Sequence, residues 1–465
     1  MASRMAGASR RTALIGLDGA APELLFERLE DELPTLGALR RRALWGPLRS
    51  VVPPITVPAW SCMLSGRTPG ELGVYGFRNR RSYTYDGLAL ANSTWIQVPR
   101  LWDLVSGRGG ASVVLGVPGT YPPTPVRGCM VSCFMAPSTE QRFTHPAGLQ
   151  AEIQRLTGGY ILDVAEFRSA EPATIAQRLH DMTEQRFALA RHLATSQPWD
   201  FLGFVDMGTD RLHHAFWQYC DPAHPLYEPG NPLEHVFRDY YRALDRHLAG
   251  FLEVLPDDAV VVLASDHGAQ AMQGGFRVNQ WLVEQGLLAL REPVRPGRLD
   301  LATVDWARTT AWAEGGYYSR VFLNVAGREP QGSVPAHHYE RVRDELAAAL
   351  EALADDRGRP MGTRAHRPEG VYPEVRGVAP DLIVYFGDLR WRAIASFDPQ
   401  GGLYTMENDT GADGANHSED GVLLMAGEGI GAGRLDGMAL YDVAPTLQTL
   451  LGLPRQPGQQ GKVLL

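Results

Sequence analysis

The sequence predicts an α/β fold built on a mostly parallel central sheet with helices on both faces, and three observations carry that expectation. Short apolar runs rich in β-formers recur at 13–17, 112–117, 201–205, 259–264, 382–386 and 422–425. Turn residues follow each run and helical patterns fill the intervals, the alternation that parallel strands joined by crossover helices produce. Acidic residues also stand directly at the ends of some runs, which places carboxylates at the carboxyl edge of the sheet, where open α/β folds bind ligands.

Two stretches interrupt this rhythm. Residues 136–196 read as helical, amphipathic and charged, a cap over the sheet. Residues 292–379, rich in Arg, Glu and Pro with a helical run over 339–354, read as a second insertion. The core is therefore expected in three parts, 11–135, 197–291 and 380–465. Neither internal repeats nor low-complexity tracts occur.

Composition excludes several classes. With 44% apolar and 21% charged residues the chain is ordinary for a soluble globular protein, and its 50 Gly and 33 Pro imply many tight loops. A net charge of −9, with no basic stripe, argues against nucleic-acid polymers and anionic membranes as partners. No apolar run reaches the roughly 18 residues of a membrane span. The start, Met1–Arg11, is polar and basic, and the apolar run after it reaches Asp18 too soon for a secretory signal. A cytoplasmic setting is expected, with Cys62, Cys129, Cys133 and Cys220 as buried thiols, since their spacing pairs no ligands.

Five places hold residues suited to catalysis. Asp18 follows the run 13–17 directly; taken alone, it serves as well for a turn or helix cap before Gly19. Thr56 stands among prolines just before a helix expected to begin near Pro58. A hydroxyl there feels the helix N-terminus and, beside a metal, is favoured as alkoxide, whereas a plain capping Thr is the bland alternative. Asp210 and His214 are four apart, so on a helix they share one face and can grip one ion, while His213 points elsewhere. Asp206 ends the preceding run as a cap or support. Asp266 and His267 adjoin at the end of a buried run, a costly placement unless a metal partners both. His417 lies in a Gly-rich loop before another strand. Separately each has an ordinary explanation. Together, three carboxylates and three imidazoles at or beside strand ends form an O/N donor set sized for two divalent ions.

The order Asp18, Thr56, Asp210 with His214, Asp266-His267, His417 resembles the type I phosphodiesterase and nucleotide pyrophosphatase branch of the alkaline phosphatase superfamily, over nearly the whole chain. Thr56 with the following Val-Pro, then Leu64-Ser-Gly and Pro69, is similar to that branch's nucleophile segment, and 442–454 to its closing helix, a packing element. Asn324 with 327–332, and 379–384, resemble a prokaryotic group of phosphohydrolases or phosphomutases.

The resemblance implies an alkaline-phosphatase-like three-layer sandwich with inserted cap segments. It implies metal-dependent hydrolysis of a phosphodiester or pyrophosphate bond in a small substrate, through a phospho-threonine on Thr56. One metal ion is implied on Asp210, His214 and His417, and a second on Asp18, Asp266 and His267, with Thr56 bound to the latter. Zinc is the family's usual metal, with manganese or iron as alternatives. The Asn that binds phosphoryl oxygens in this branch aligns with Phe77, leaving Asn79, Arg78 or Arg80 as replacements. Trp60 and Phe77 are candidate apolar walls for the leaving group. No match to the arginine and third-metal ligands of monoesterases appears, so diesters are expected to be the faster substrates. The competing functions are a phosphomonoesterase or phosphomutase on the same fold and, more remotely, a non-catalytic metal-binding protein; Thr56 counts against a sulfatase.

Overall fold

The structure, a computed structural model, describes residues 10–465. Of the basic start read at Met1–Arg11, residues 1–9 lie outside the described residues. The central sheet contains β1 (Thr12–Leu17), β2 (Leu44–Arg49), β3 (Ser112–Leu115), β4 (Gly128–Val131), β5 (Thr144–His145), β6 (Phe201–Asp206), β7 (Val260–Ala264), β8 (Asp420–Ala426) and β9 (Gly433–Arg434). They lie in the order β9-β2-β8-β7-β1-β6-β3-β4-β5, and Met438–Ala439 pairs with β2. From β7 through β4 the strands run parallel. β1, β6 and β7 are buried throughout and almost wholly apolar, as expected where both faces of a parallel sheet are covered.

Four helices matter for the site: α1 (Thr56–Ser65), α2 (Pro172–Ser196), α3 (Gly208–Cys220) and α4 (Val236–Leu252). α2, α3 and α4 pack on one another, and α1 packs on the closing helix Val443–Leu450. The result is the three-layer α/β sandwich that the sequence implied. Within 136–196, Leu179, Phe187 and Leu193 of α2 join the core of the central sheet, and β5 extends its edge. Among the described residues no helix is long and apolar enough to cross a membrane. All four cysteines are buried.

Two strands depart from the expected pattern. β8 runs antiparallel to both neighbours, β2 and β7. Residues Leu382–Tyr385 leave the central sheet for a second, four-stranded antiparallel one with Ala311–Glu314, Ser319–Leu323 and Arg364–His366. This strand is apolar on both faces for its own reason. Leu382 and Val384 enter the core around Phe276, Trp312 and Phe322, while Ile383 and Tyr385 enter a separate cluster with Ile55 and Tyr75. A short apolar run reports burial but not which sheet buries it.

The second sheet also explains two stretches that carried the prokaryotic resemblance. The Asn324 amide donates to the carbonyls of Trp306, Thr309 and Gln331 and accepts from Tyr85 Oη. Asp381 accepts from both Arg328 Nη atoms. These residues tie turns together, and satisfied buried polar groups of this kind specify a local structure.

Candidate active site

The site is assembled at the carboxyl ends of β1, β6 and β7. Asp18 is the first residue beyond β1 and is wholly buried. The indole of Trp60, on α1, donates to its Oδ2 at 2.6 Å. That approach requires Gly16, because a Cβ there would lie 2.5 Å from the Trp60 ring. Gly19 follows with φ +66°, a conformation glycine adopts without strain, and its N–H donates to Asp266 Oδ1 at 3.2 Å. Thr209 Oγ1 donates to the Asp18 carbonyl, so the turn after β1 is held from both sides.

α1 begins at Thr56, two residues before the expected start, with Ile55 extended at its N-cap and Pro58 inside the first turn, where a missing N–H leaves no bond unmade. Thr56 Oγ1 lies 3.4 Å from His267 Nε2. On α3, Asp210 Oδ1 lies 3.2 Å from His214 Nε2, one helical turn on, and 3.7 Å from His417 Nε2. His213 points away, 2.8 Å from Tyr241 Oη and packed edge-on against Trp217 and Phe237. Asp206 accepts from Thr183 Oγ1, Tyr240 Oη and the Gly208 N–H, which makes it the brace of the turn into α3.

His417 sits on a strand rather than in a loop. Ala415–Ser418 pairs antiparallel with Gly268–Ala271, directly after Asp266-His267. The pairing stacks the His267 and His417 rings, with centroids 3.7 Å apart and planes 18° from parallel.

These placements produce two clusters, Asp210 with His214 and His417, and Asp18 with Asp266 and His267; within each, one donor atom per residue lies within 4.8 Å of the others. All six residues are buried. Asp18 Oδ1 and Asp266 Oδ2 have no hydrogen-bond partner, an expensive state for buried carboxylate oxygens unless a cation meets them.

The electrostatics point the same way. Burial, reinforced by the Asp210 charge, holds the Asp18 carboxyl well above the usual carboxylate range, and burial with the Asp18 charge does the same to Asp266. Against burial, the His214 and Arg211 charges hold Asp210 low. Burial pushes His267 down to about 4 and His417 well below its ordinary value. Against burial, the Asp413 and Asp210 charges hold His214 well above its ordinary value. Crowded buried carboxylates call for a cation, and the neutral imidazoles of His267 and His417 are in the state that binds one. The residues present therefore fit two divalent cations.

The profile of the type I phosphodiesterase / nucleotide pyrophosphatase family matches residues 12–413. The chain belongs to this family. It is a hydrolase of the alkaline phosphatase superfamily. Human ectonucleotide pyrophosphatase/phosphodiesterase 5 is similar in fold, at 12% identity and a TM-score of 0.56, covering 97% of each chain. The murine protein gives 12%, a TM-score of 0.57 and coverage of 97% of this chain and 98% of that one. An inactive threonine-to-alanine form of the murine protein in complex with AMP gives 12% and 0.57, covering 97% of each chain. No curated protein sequence matches the chain.

The other expected residues of this phosphodiesterase-family chain have different surroundings. Trp60, expected as an apolar wall, lies wholly buried beneath Asp18. Asn79, expected near the phosphoryl group, faces its own turn: it accepts from the Tyr75 N–H and donates to the Gly76 carbonyl. Arg80 is buried against Glu329. Phe77 and Arg78 do line a cavity of about 470 Å³ beside the site.

Sequence reasoning missed the residues that hold the imidazoles. Asp413 Oδ1 lies 2.8 Å from His214 Nδ1, and its other oxygen meets Arg168 at 3.0 Å and Arg392 at 2.6 Å. Tyr317 stacks on His417 at 3.8 Å and on His214 at 4.8 Å. Arg211 pairs with Asp210 and Asp163. Only Asp413 left a signal, since a ligating His needs a partner for its second nitrogen and a carboxylate stands four residues before His417.

The adjacent histidines give a first test. His214→Ala is expected to lose metal and turnover. His213→Ala should keep metal content while losing about 1–3 kcal/mol of stability from the hole left among Tyr241, Trp217 and Phe237. Elemental analysis and thermal melts separate the two, and the opposite ranking would rule out this assignment.

Proposed function

We propose that the chain hydrolyses a small phosphodiester or pyrophosphate through a phospho-threonine on Thr56, with two divalent cations held by Asp210, His214, His417 and by Asp18, Asp266, His267. The observation that carries this reading is the position of Thr56 Oγ1, at the first residue of a buried helix and 3.4 Å from His267 Nε2 of one donor cluster. Bound there, the cations supply Lewis acidity and positive charge against the charge developing on the phosphoryl oxygens. The three-imidazole, three-carboxylate donor set suits zinc, with manganese or iron as alternatives.

Thr56 Oγ1 bonds to phosphorus as the bond to the leaving oxygen breaks, the threonine's proton ending on that leaving oxygen; the phosphoryl group on Thr56 keeps the substrate's other ester group, and water then displaces it as a phosphomonoester, restoring the hydroxyl. The N-terminus of α1 adds favourable potential at the hydroxyl. Asp413 and the Pro54 carbonyl, 2.7 Å from His417 Nδ1, fix the ring orientations of His214 and His417. The inactivity of the murine threonine-to-alanine form supports a required threonine, and its AMP complex makes nucleotide esters the first substrates to try. The cytoplasmic setting expected from the sequence is part of this proposal, and fractionation of cells expressing the tagged chain tests it.

A monoester dianion brings one more negative charge than a diester and needs extra cationic donors. Arg80 is already paired with Glu329, which removes one source. With metal saturating, kcat/KM for an aryl phosphodiester is expected to exceed that for the matching monoester. A ratio well below one would favour a monoesterase or mutase.

A further inference from the structure

Beside the donor clusters lies a cavity of about 470 Å³ whose charged lining is Arg78, Arg168, Arg298, Arg320, Glu314 and Asp409. It connects physically to the site: Arg168 lines the cavity and also donates to Asp413, the carboxylate against His214, and to Tyr317 Oη at 2.9 Å. Phe77 lines it as well, two residues from the Tyr75 that packs near Ile55, the residue before Thr56.

The four arginines are unequally engaged. Arg168 is paired with Asp413, a carboxylate it shares with Arg392. Arg320 is 8% exposed; its Nη1 donates to the Arg78 carbonyl, and among the described residues no carboxylate pairs with it. Arg78 and Arg298 are exposed, again without a carboxylate partner among the described residues. Of the two acids, Asp409 is engaged in part by the Ala395 N–H. An unpaired guanidinium at 8% exposure is costly unless an anion meets it, and arginine's planar fork suits phosphate.

We propose that this cavity binds a second anionic group, a phosphate, carried by the substrate away from the scissile phosphorus. Arg320 is its buried anchor and Arg78 and Arg298 its outer donors. The proposal rests on the phosphoester reading and narrows it: the substrate carries a phosphate on its attached group beyond the scissile ester, and beyond the two phosphorus atoms that any pyrophosphate has. Glu314 and Asp409 disfavour a bulky polyanion and leave room for one such group.

The test is calorimetric binding to the metal-loaded protein of two ligand series, the monophosphates and the bisphosphates of straight-chain α,ω-diols with two to six carbons. At least one bisphosphate is expected to bind about tenfold or more tightly than its monophosphate, since a charge-assisted hydrogen bond contributes that much, and added salt should erode the preference. Arg78→Gln with Arg298→Gln should reduce it to within about twofold; both positions are exposed, so folding is not at stake. Equal binding of the two series at every length, or a preference unchanged in the double variant, overturns the proposal. The two readings fail separately. If p-nitrophenyl diesters are not hydrolysed, the hydrolase assignment of Thr56 falls, while the ligand series still decides the cavity.

Discussion

Thr56→Ala is expected to lower kcat by at least about 10⁴-fold, because removing the nucleophile of a two-step hydrolysis abolishes the covalent route and leaves only binding and charge stabilisation. Metal content and fold should persist. The donor atoms of both clusters lie on other residues, and Thr56 contributes only a small, 2% exposed side chain to α1. A neighbouring hydroxyl cannot readily take over, since Ser61 Oγ donates to the Val57 carbonyl at 2.7 Å within the helix. Quenched-flow trapping of a phosphorylated enzyme, followed by peptide mapping, should find the label on Thr56 and none in the variant. Wild-type turnover in Thr56→Ala would remove it as nucleophile.

Asp266→Ala and His267→Ala should each release about one equivalent of bound metal and reduce kcat/KM by more than the roughly 10–100-fold typical of residues that merely support a metal ligand. The physical reason is the crowding of Asp18, Asp266 and His267 at the ends of β1 and β7, with Asp18 Oδ1 and Asp266 Oδ2 lacking any hydrogen-bond partner. Removing one donor leaves too few ligands to hold a cation against water. Chelation of the wild-type chain should lower Tm for the same reason, because a ligand bound only by the native state stabilises it by mass action. Asp266→Ala should respond to the chelator less. Full metal stoichiometry in both variants, measured by elemental analysis, would take these residues out of the donor set.

The legible part of the site consists of residues whose local pattern already places them. Asp18 and Asp266-His267 stand where an apolar run stops, and Asp210 with His214 stand one helical turn apart. Their neighbours in the chain are enough to put them at a strand end or on one helix face. Tyr317, Arg168 and Arg392 had no such pattern. Arg168 and Asp413 meet across 245 positions of sequence, and the stacking of Tyr317 on two imidazoles exists only because the second sheet returns to the first. Trp60 illustrates the converse. Its proximity to Thr56 along α1 suggested a substrate wall, but the side chain turns beneath the sheet to donate to Asp18.

By itself the sequence determined the α/β alternation, the strand-end carboxylates and imidazoles, and a helix starting close to Thr56, because strand and helix periods and capping chemistry act between residues close in the chain. Local chemistry named the donors as a set, and only the family resemblance sorted them into two groups. The tertiary structure decided the rest: the antiparallel course of β8, the removal of Leu382–Tyr385 to a second sheet, the strand that carries His417 to His267, and the cationic cavity beside the site. Each depends on which distant surfaces pack together, and a buried strand carries the same apolar pattern whichever sheet receives it.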